Sequence, residues 1–162
     1  MRQILPLLCI AIAALAATLA TANAQKYTGP APPTPDLPYI QHATNLIATE
    51  AVAAKEQKSK DDTLYTIDGE NSTSKTPLAL PIFFIKADKL NPASLQMYRL
   101  ESKDGHRELT ASAKRNAEPI HVQVTRLGAD NIYKLDVYNG LDAGEYALTA
   151  EGWKQMFCFQ VY

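Results

Sequence analysis

The chain has 162 residues, 46% of them hydrophobic and 20% charged, with a formal net charge of −1 at neutral pH. That length suits one domain with a real core, and the near balance of charge excludes recruitment of nucleic acid or an anionic membrane by a basic face. Two cysteines are too few for a disulfide scaffold.

In chain order, the first signal is a leader. Arg2 and the amino terminus form a short positive region, Ile4 to Ala20 is an apolar run broken by Pro6 and Thr18, and Ala22-Asn23-Ala24 has the small-x-small form cut by signal peptidase. A signal peptide over 1–24 is expected, with cleavage between Ala24 and Gln25 and export to the periplasm or the cell exterior. A membrane anchor is the competing reading, but the run is alanine-rich and short of the roughly 20 strongly apolar residues that a span needs. Lipidation at Cys9 is disfavoured because Pro6-Leu7-Leu8 lacks the small residue that should precede it. The first 24 residues hold one of the 16 basic side chains and none of the 17 acidic ones, leaving 15 against 17. Cys158 is then the sole remaining cysteine, and its aromatic surroundings predict a buried, inert thiol.

Residues 25–45 read as an extended linker, since five prolines lie between Pro30 and Pro38. Pro32-Pro33-Thr34-Pro35 also satisfies the pattern read by aromatic grooves, although such a match is common in any proline-rich tract. The globular domain is placed at 46–162. Within it, Asn45 to Lys60 stays open between helix and edge strand: Ala, Glu, Lys and Gln favour helix, whereas Leu46, Ile47 and Val52 make no helical stripe.

From Thr63 onward the punctuation is that of an all-β domain. Leu64 to Ile67 ends at Asp68-Gly69, a polar loop spans Glu70 to Thr76, and Ile82 to Ile85 reads as a strand buried on both faces. A single helical turn is expected near Leu90 to Ser94, and Asp104-Gly105 predicts a two-residue hairpin. Ile120, Val122 and Val124 alternate with polar residues, Gly128 to Asn131 turns the chain, and Tyr133, Leu135 and Val137 alternate in their turn. Tyr146, Leu148 and the run Met156 to Tyr162 complete the pattern. About seven or eight strands at this spacing predict a single antiparallel, immunoglobulin-like β-sandwich without the disulfide of antibody domains.

The tail Gly144-Glu145-Tyr146-Ala147-Leu148, Gly152 and Phe157 to Tyr162 resembles the last strands of uncharacterised bacterial exported proteins predicted to be immunoglobulin-like sandwiches. Leu37-Pro38-Tyr39, Thr76-Pro77-Leu78 and Pro81-Ile82-Phe83 extend the resemblance over most of the chain. It implies location and fold, and no activity comes with it.

The search for chemistry returns little. His42, His106 and His121 have no second ligand at metal spacing, although His121 and Gln123 on a wet face would meet His106 if the sheet brought them together. There is no G-x-S-x-G elbow, Asp61-Asp62 reads as a solvated turn, and Asp130 and Asp142 are at most weak calcium ligands. The terminal aromatic residue suggests an outer-membrane barrel, but Gln160 breaks the lipid-facing stripe at its first step. No catalytic residue, metal site or cofactor is expected. Trp153 and Tyr138 remain as a candidate binding surface, for a partner protein or a glycan. The function expected is a non-enzymatic protein-binding or structural module of the cell envelope, with carbohydrate binding as the alternative and a hydrolase further behind.

Overall fold

The computed structural model describes residues 26–60, 62–112, 117–150 and 154–162, and among them the chain is all-β. The strands are β1 (Tyr39–His42), β2 (Asn45–Ala48), β3 (Glu50–Ala53), β4 (Lys55–Lys58), β5 (Asp62–Asp68), β6 (Lys75–Thr76), β7 (Ile82–Lys86), β8 (Leu95–Lys103), β9 (His106–Ser112), β10 (Val122–Leu127), β11 (Ile132–Val137), β12 (Gly144–Ala150) and β13 (Gln155–Val161). The expected helical turn is a 3-10 turn over Pro92–Ser94, where the Asn91 side chain accepts from the Ala93 amide.

Two sheets result. Five strands run in the order β10-β11-β7-β1-β2, and seven in the order β3-β13-β12-β8-β9-β5-β4, with β6 added in parallel to β13. Every other pairing is antiparallel. Ile40, Phe83, Ile85, Leu135 and Val137 from the first sheet meet Met97, Tyr146, Leu148, Phe157 and Phe159 from the second in one buried cluster, so the sheets face each other across a common core.

Among the described residues thirteen strands form where seven or eight were expected, the additional ones lying in 39–58 and 75–76, and in the first of these stretches the strands are short because the chain changes partners. Thr49 alone carries it from β2 in one sheet to β3 in the other, and its amide and hydroxyl both donate to the Pro38 carbonyl, at 3.0 and 2.8 Å. Ala54 separates β3 from β4, which stand at opposite ends of the larger sheet's order. That sheet is therefore rolled, with both ends carried by one stretch of chain. Residues 45–58, open between helix and strand in the sequence, are strand throughout these segments, because pairing to β1, β13 and β5 overrides a helical composition.

The linker expected at 25–45 is corrected over its described part. Tyr39–His42 lies inside the five-stranded sheet between β7 and β2, so the domain begins before residue 46. The proline-rich stretch ahead of it is pinned to the sheet's outer face. Tyr27 stacks on Phe84 with centroids 6.2 Å apart, Pro32 and Pro38 are buried, and the Asp36 amide donates to Lys86 at 2.8 Å. Prolines bring few amide donors, so such a segment lies on a surface without needing a strand partner.

Asp36 is the pin. Its carboxylate accepts from the amides of Asp88, Lys89 and Leu90 at 2.8 to 3.1 Å. Burial pushes this carboxyl up, but those three amides outweigh burial and hold it below the usual aspartate value of 3.8. A depressed folded value means the contribution is complete above pH 3.8 and is lost as the pH falls through the folded value. Asp36→Ala is expected to cost about 1–2 kcal/mol at pH 7. Urea unfolding checks this: the gap between wild type and variant should narrow as the pH falls below 3.8.

Candidate functional site

The pleat decides what enters the roll. Residues opposite one another in register share a face, so Leu100, Glu145 and Gln160 stand side by side across β8, β12 and β13. The next interior row runs through Ala147, Cys158 and Glu50, and on the neighbouring strands Ser102, Arg107 and Ile67 line up. The deeper interior is apolar, with Ile67, Leu109, Ala147, Met156 and Cys158 in one cluster. Toward the mouth it turns ionic.

Arg107 is fully buried there. Its NH2 and NH1 groups donate to Glu50 Oε1 and Oε2 at 2.9 and 3.2 Å, NH1 donates to Ser72 Oγ at 2.6 Å, and Nε donates to the Gly69 carbonyl at 2.9 Å. Glu145 Oε2 lies 3.9 Å from Arg107 NH1 and accepts from the Ser72 amide and hydroxyl at 3.0 and 2.5 Å. Burial works against the charge on Arg107, but Glu50, with Glu145 behind it, outweighs burial and raises its affinity for the proton. Burial likewise pushes Glu50 up, and the hydrogen bonds from Arg107 and Thr73 bring it below the usual glutamate value.

This cluster explains why a polar loop is folded inward. Ser72 and Thr76 are buried, and the segment from Gly69 to Ser74 closes over the mouth. Thr73 donates its amide to Glu50 at 2.8 Å, Gln160 donates to Asn71 Oδ1 at 3.0 Å, and Ser102 donates to the Glu70 carbonyl at 3.1 Å. Beside the loop an open cleft of about 490 Å3 remains, lined by Asn71, Arg99, Glu101, Ser102, Glu145 and Gln160 among others. Glu145 Oε1 is buried and has no hydrogen-bond donor.

Sequence reasoning missed Arg107, Glu50 and Glu145. One signal for Arg107 was present: Arg107, Leu109 and Ala111 alternate on one face, which places the arginine in line with an apolar residue. Glu50 sat in the stretch left open between helix and strand, and Glu145 looked like any solvent-facing strand residue.

The residues that were singled out fall elsewhere. Tyr138 is exposed on the five-stranded sheet just beyond β11; its hydroxyl donates to Gln123 Oε1 and its ring stacks on His121, with centroids 5.8 Å apart. Trp153, Ala24 and Gln25 lie outside the described residues. Cys158 is buried as expected, and burial pushes its thiol up to about 12 despite the neighbouring Arg107. The histidines are not brought together: His42 meets Thr76 Oγ1 at 2.8 Å, His106 meets Glu108 at 2.7 Å in the rolled sheet, and His121 belongs to the other sheet's Tyr138 pair. Asp142 lies 3.8 Å from Arg99 at the surface. Among the described residues no group of three or more His, Cys, Asp or Glu is placed to hold a metal. No protein-family model matches the chain, and neither the curated proteins nor the solved structures provide a match.

Proposed function

We propose that this protein is an exported, non-enzymatic binding module of the cell envelope, periplasmic or extracellular, whose immunoglobulin-like layering presents a free sheet edge to an extended segment of a partner protein. The observation that carries this reading is β10. It ends the five-stranded sheet, it is six residues long, it contains no proline, and Arg126 is its only charge. Edge strands that must stay unpaired are usually shortened, charged or broken by proline, and β10 has little of that protection. A partner strand adding here gains main-chain hydrogen bonds along its length. The leader read from residues 1–24 is the support for export.

The test uses backbone parity. Neighbouring N–H groups along a strand face opposite edges, so of Gln123→Pro and Arg126→Pro one removes an amide paired to β11 and the other an amide facing outward. The inner variant should lower the unfolding midpoint, while the outer one should leave it nearly unchanged. A photocrosslinker at Thr125, carried in whole cells, should give one discrete envelope adduct that disappears in the outer variant. An adduct that survives there contradicts the edge reading.

A second reading rests on the Tyr138 face. An exposed ring beside His121 and the Gln123 amide has the stacking surface and hydrogen-bonding groups of a glycan platform. Trp153 belongs to the same reading. Retention of the protein in glycan-containing gels, lost in Tyr138→Ala at unchanged thermal stability, would favour it over strand addition.

A further inference from the structure

Asn139 and Gly140 lie in the connection from β11 to β12, and both are exposed. Asn-Gly pairs commonly close tight turns in which the glycine is left-handed. Here Gly140 is not among the residues of positive φ, so no such turn holds the pair. Among the described residues neither the Asn139 carboxamide nor the Gly140 amide has a hydrogen-bond partner. The next amide is fixed: Leu141 donates to the Ala79 carbonyl at 2.7 Å, and its side chain is buried in the core. A free main-chain N–H therefore follows a free side-chain carboxamide, and glycine carries no Cβ to keep the two apart.

The other described asparagines each lack one of these conditions. Asn91 precedes Pro92, which has no amide hydrogen. Asn71 precedes Ser72, whose amide donates to Glu145 at 3.0 Å, and Asn71 Oδ1 accepts from Gln160. Asn45 and Asn131 precede Leu46 and Ile132, larger residues set in strands, and Asn131 Oδ1 accepts from Arg126 at 2.8 Å.

We infer that Asn139 is a site of spontaneous deamidation, converting to isoaspartate and aspartate without an enzyme. The Gly140 nitrogen gives its proton to base and attacks Asn139 Cγ. The new N–Cγ bond closes a succinimide ring, the Cγ–Nδ2 bond breaks, and the departing nitrogen takes up a proton and leaves as ammonia. Water then opens the ring: at Cγ it gives aspartate, and at the main-chain carbonyl it gives isoaspartate. Either product sets a carboxylate beside the exposed Tyr138 and three residues from Asp142, which lies 3.8 Å from Arg99. Isoaspartate also lengthens the main chain by one methylene just ahead of Leu141. The change thus falls on the Tyr138 face and accumulates with the age of the molecule, independently of any strand added at β10.

The test follows two tryptic peptides. Residues 135–154 contain Asn139 as their only amide side chain, and residues 127–134 contain Asn131 as theirs. The folded chain is held at mildly alkaline pH and sampled over time, with conversion read by mass spectrometry and isoaspartate separated from aspartate by chromatography. Peptide 135–154 should convert at least about tenfold faster than 127–134, a barrier difference of about 1.4 kcal/mol. Its rate should rise with hydroxide and stay close to that of the same peptide in the guanidinium-unfolded chain. In Gly140→Ala the added Cβ meets only Ala79 Cβ, at 4.0 Å, so the fold should be kept while conversion slows by about tenfold or more. Conversion no faster than that of 127–134, a folded rate far below the unfolded one, or an unchanged rate in a folded Gly140→Ala would overturn the inference. Should Gly140→Ala fail to fold, the comparison of folded with unfolded chain in the unmodified protein still decides.

Discussion

Arg107→Ala should lower the free energy of unfolding by about 3–5 kcal/mol, because it strips the shared cation from two buried carboxylates. Glu50 loses its bidentate partner, Ser72 Oγ loses one donor, and the carbonyls of Asp68 and Gly69 lose theirs. Arg107→Lys should recover only part of the loss, since an ammonium cannot span Glu50, Ser72 and the Gly69 carbonyl with one rigid fork. Equilibrium urea unfolding measures both. A loss below 1 kcal/mol for Arg107→Ala would mean that the cluster is wetted rather than buried.

The cost belongs to the unpaired charges rather than to the pairing itself. Replacing Arg107, Glu50 and Glu145 together by Met, Gln and Gln should therefore recover much of what Arg107→Ala loses. The pH dependence has a definite sign. Glu50 is depressed in the folded state, so its contribution is complete above its ordinary value of 4.5 and is lost as the pH falls through the folded value. The gap between wild type and Arg107→Ala should narrow in acid.

Where the chain turns by its own chemistry, the sequence is a good guide. Asp104 and Gly105 have φ of 51° and 83°, as the predicted two-residue hairpin requires, and Gly128 and Asn131, at 64° and 52°, turn β10 into β11. Ile82 to Ile85 is the strand buried on both faces that was expected, with Phe83 in the core and Phe84 buried under the outer layer. The hairpin of β1 and β2 was invisible because its turn is Ala43-Thr44, with Ala43 at φ 53°, a left-handed position that alanine rarely signals. Tertiary partners hid the rest. The polar loop from Gly69 to Ser74 is drawn inward by Arg107, Glu50 and Glu145, and the proline-rich segment is held by Asp36 and Tyr27. Each of these depends on a residue more than ten positions away, which no local pattern encodes. Tyr138, in contrast, was singled out in the sequence for a candidate binding surface, and it is exposed.

The core between the sheets carries the second large effect. Phe159 is fully buried, meets Phe83 of the opposite sheet edge-on at 5.0 Å, and stacks on Tyr146 of the adjoining strand at 5.6 Å. Phe159→Ala removes the ring at the point where both sheets depend on it, and rigid sheet backbones on either side limit collapse into the gap. A loss of about 3–5 kcal/mol is expected, seen as a lower urea midpoint at unchanged slope. Phe84→Ala supplies the contrast. That ring is also buried, but its cover is Tyr27 on an extended segment held chiefly by Asp36, and such a cover can settle into the space left behind. Its loss should be smaller than that of Phe159 by at least about 1 kcal/mol. Equal losses would show that the proline-rich layer is as rigid as the sheets, and that the stable unit includes Lys26 to Pro38 as fully as it does the strands.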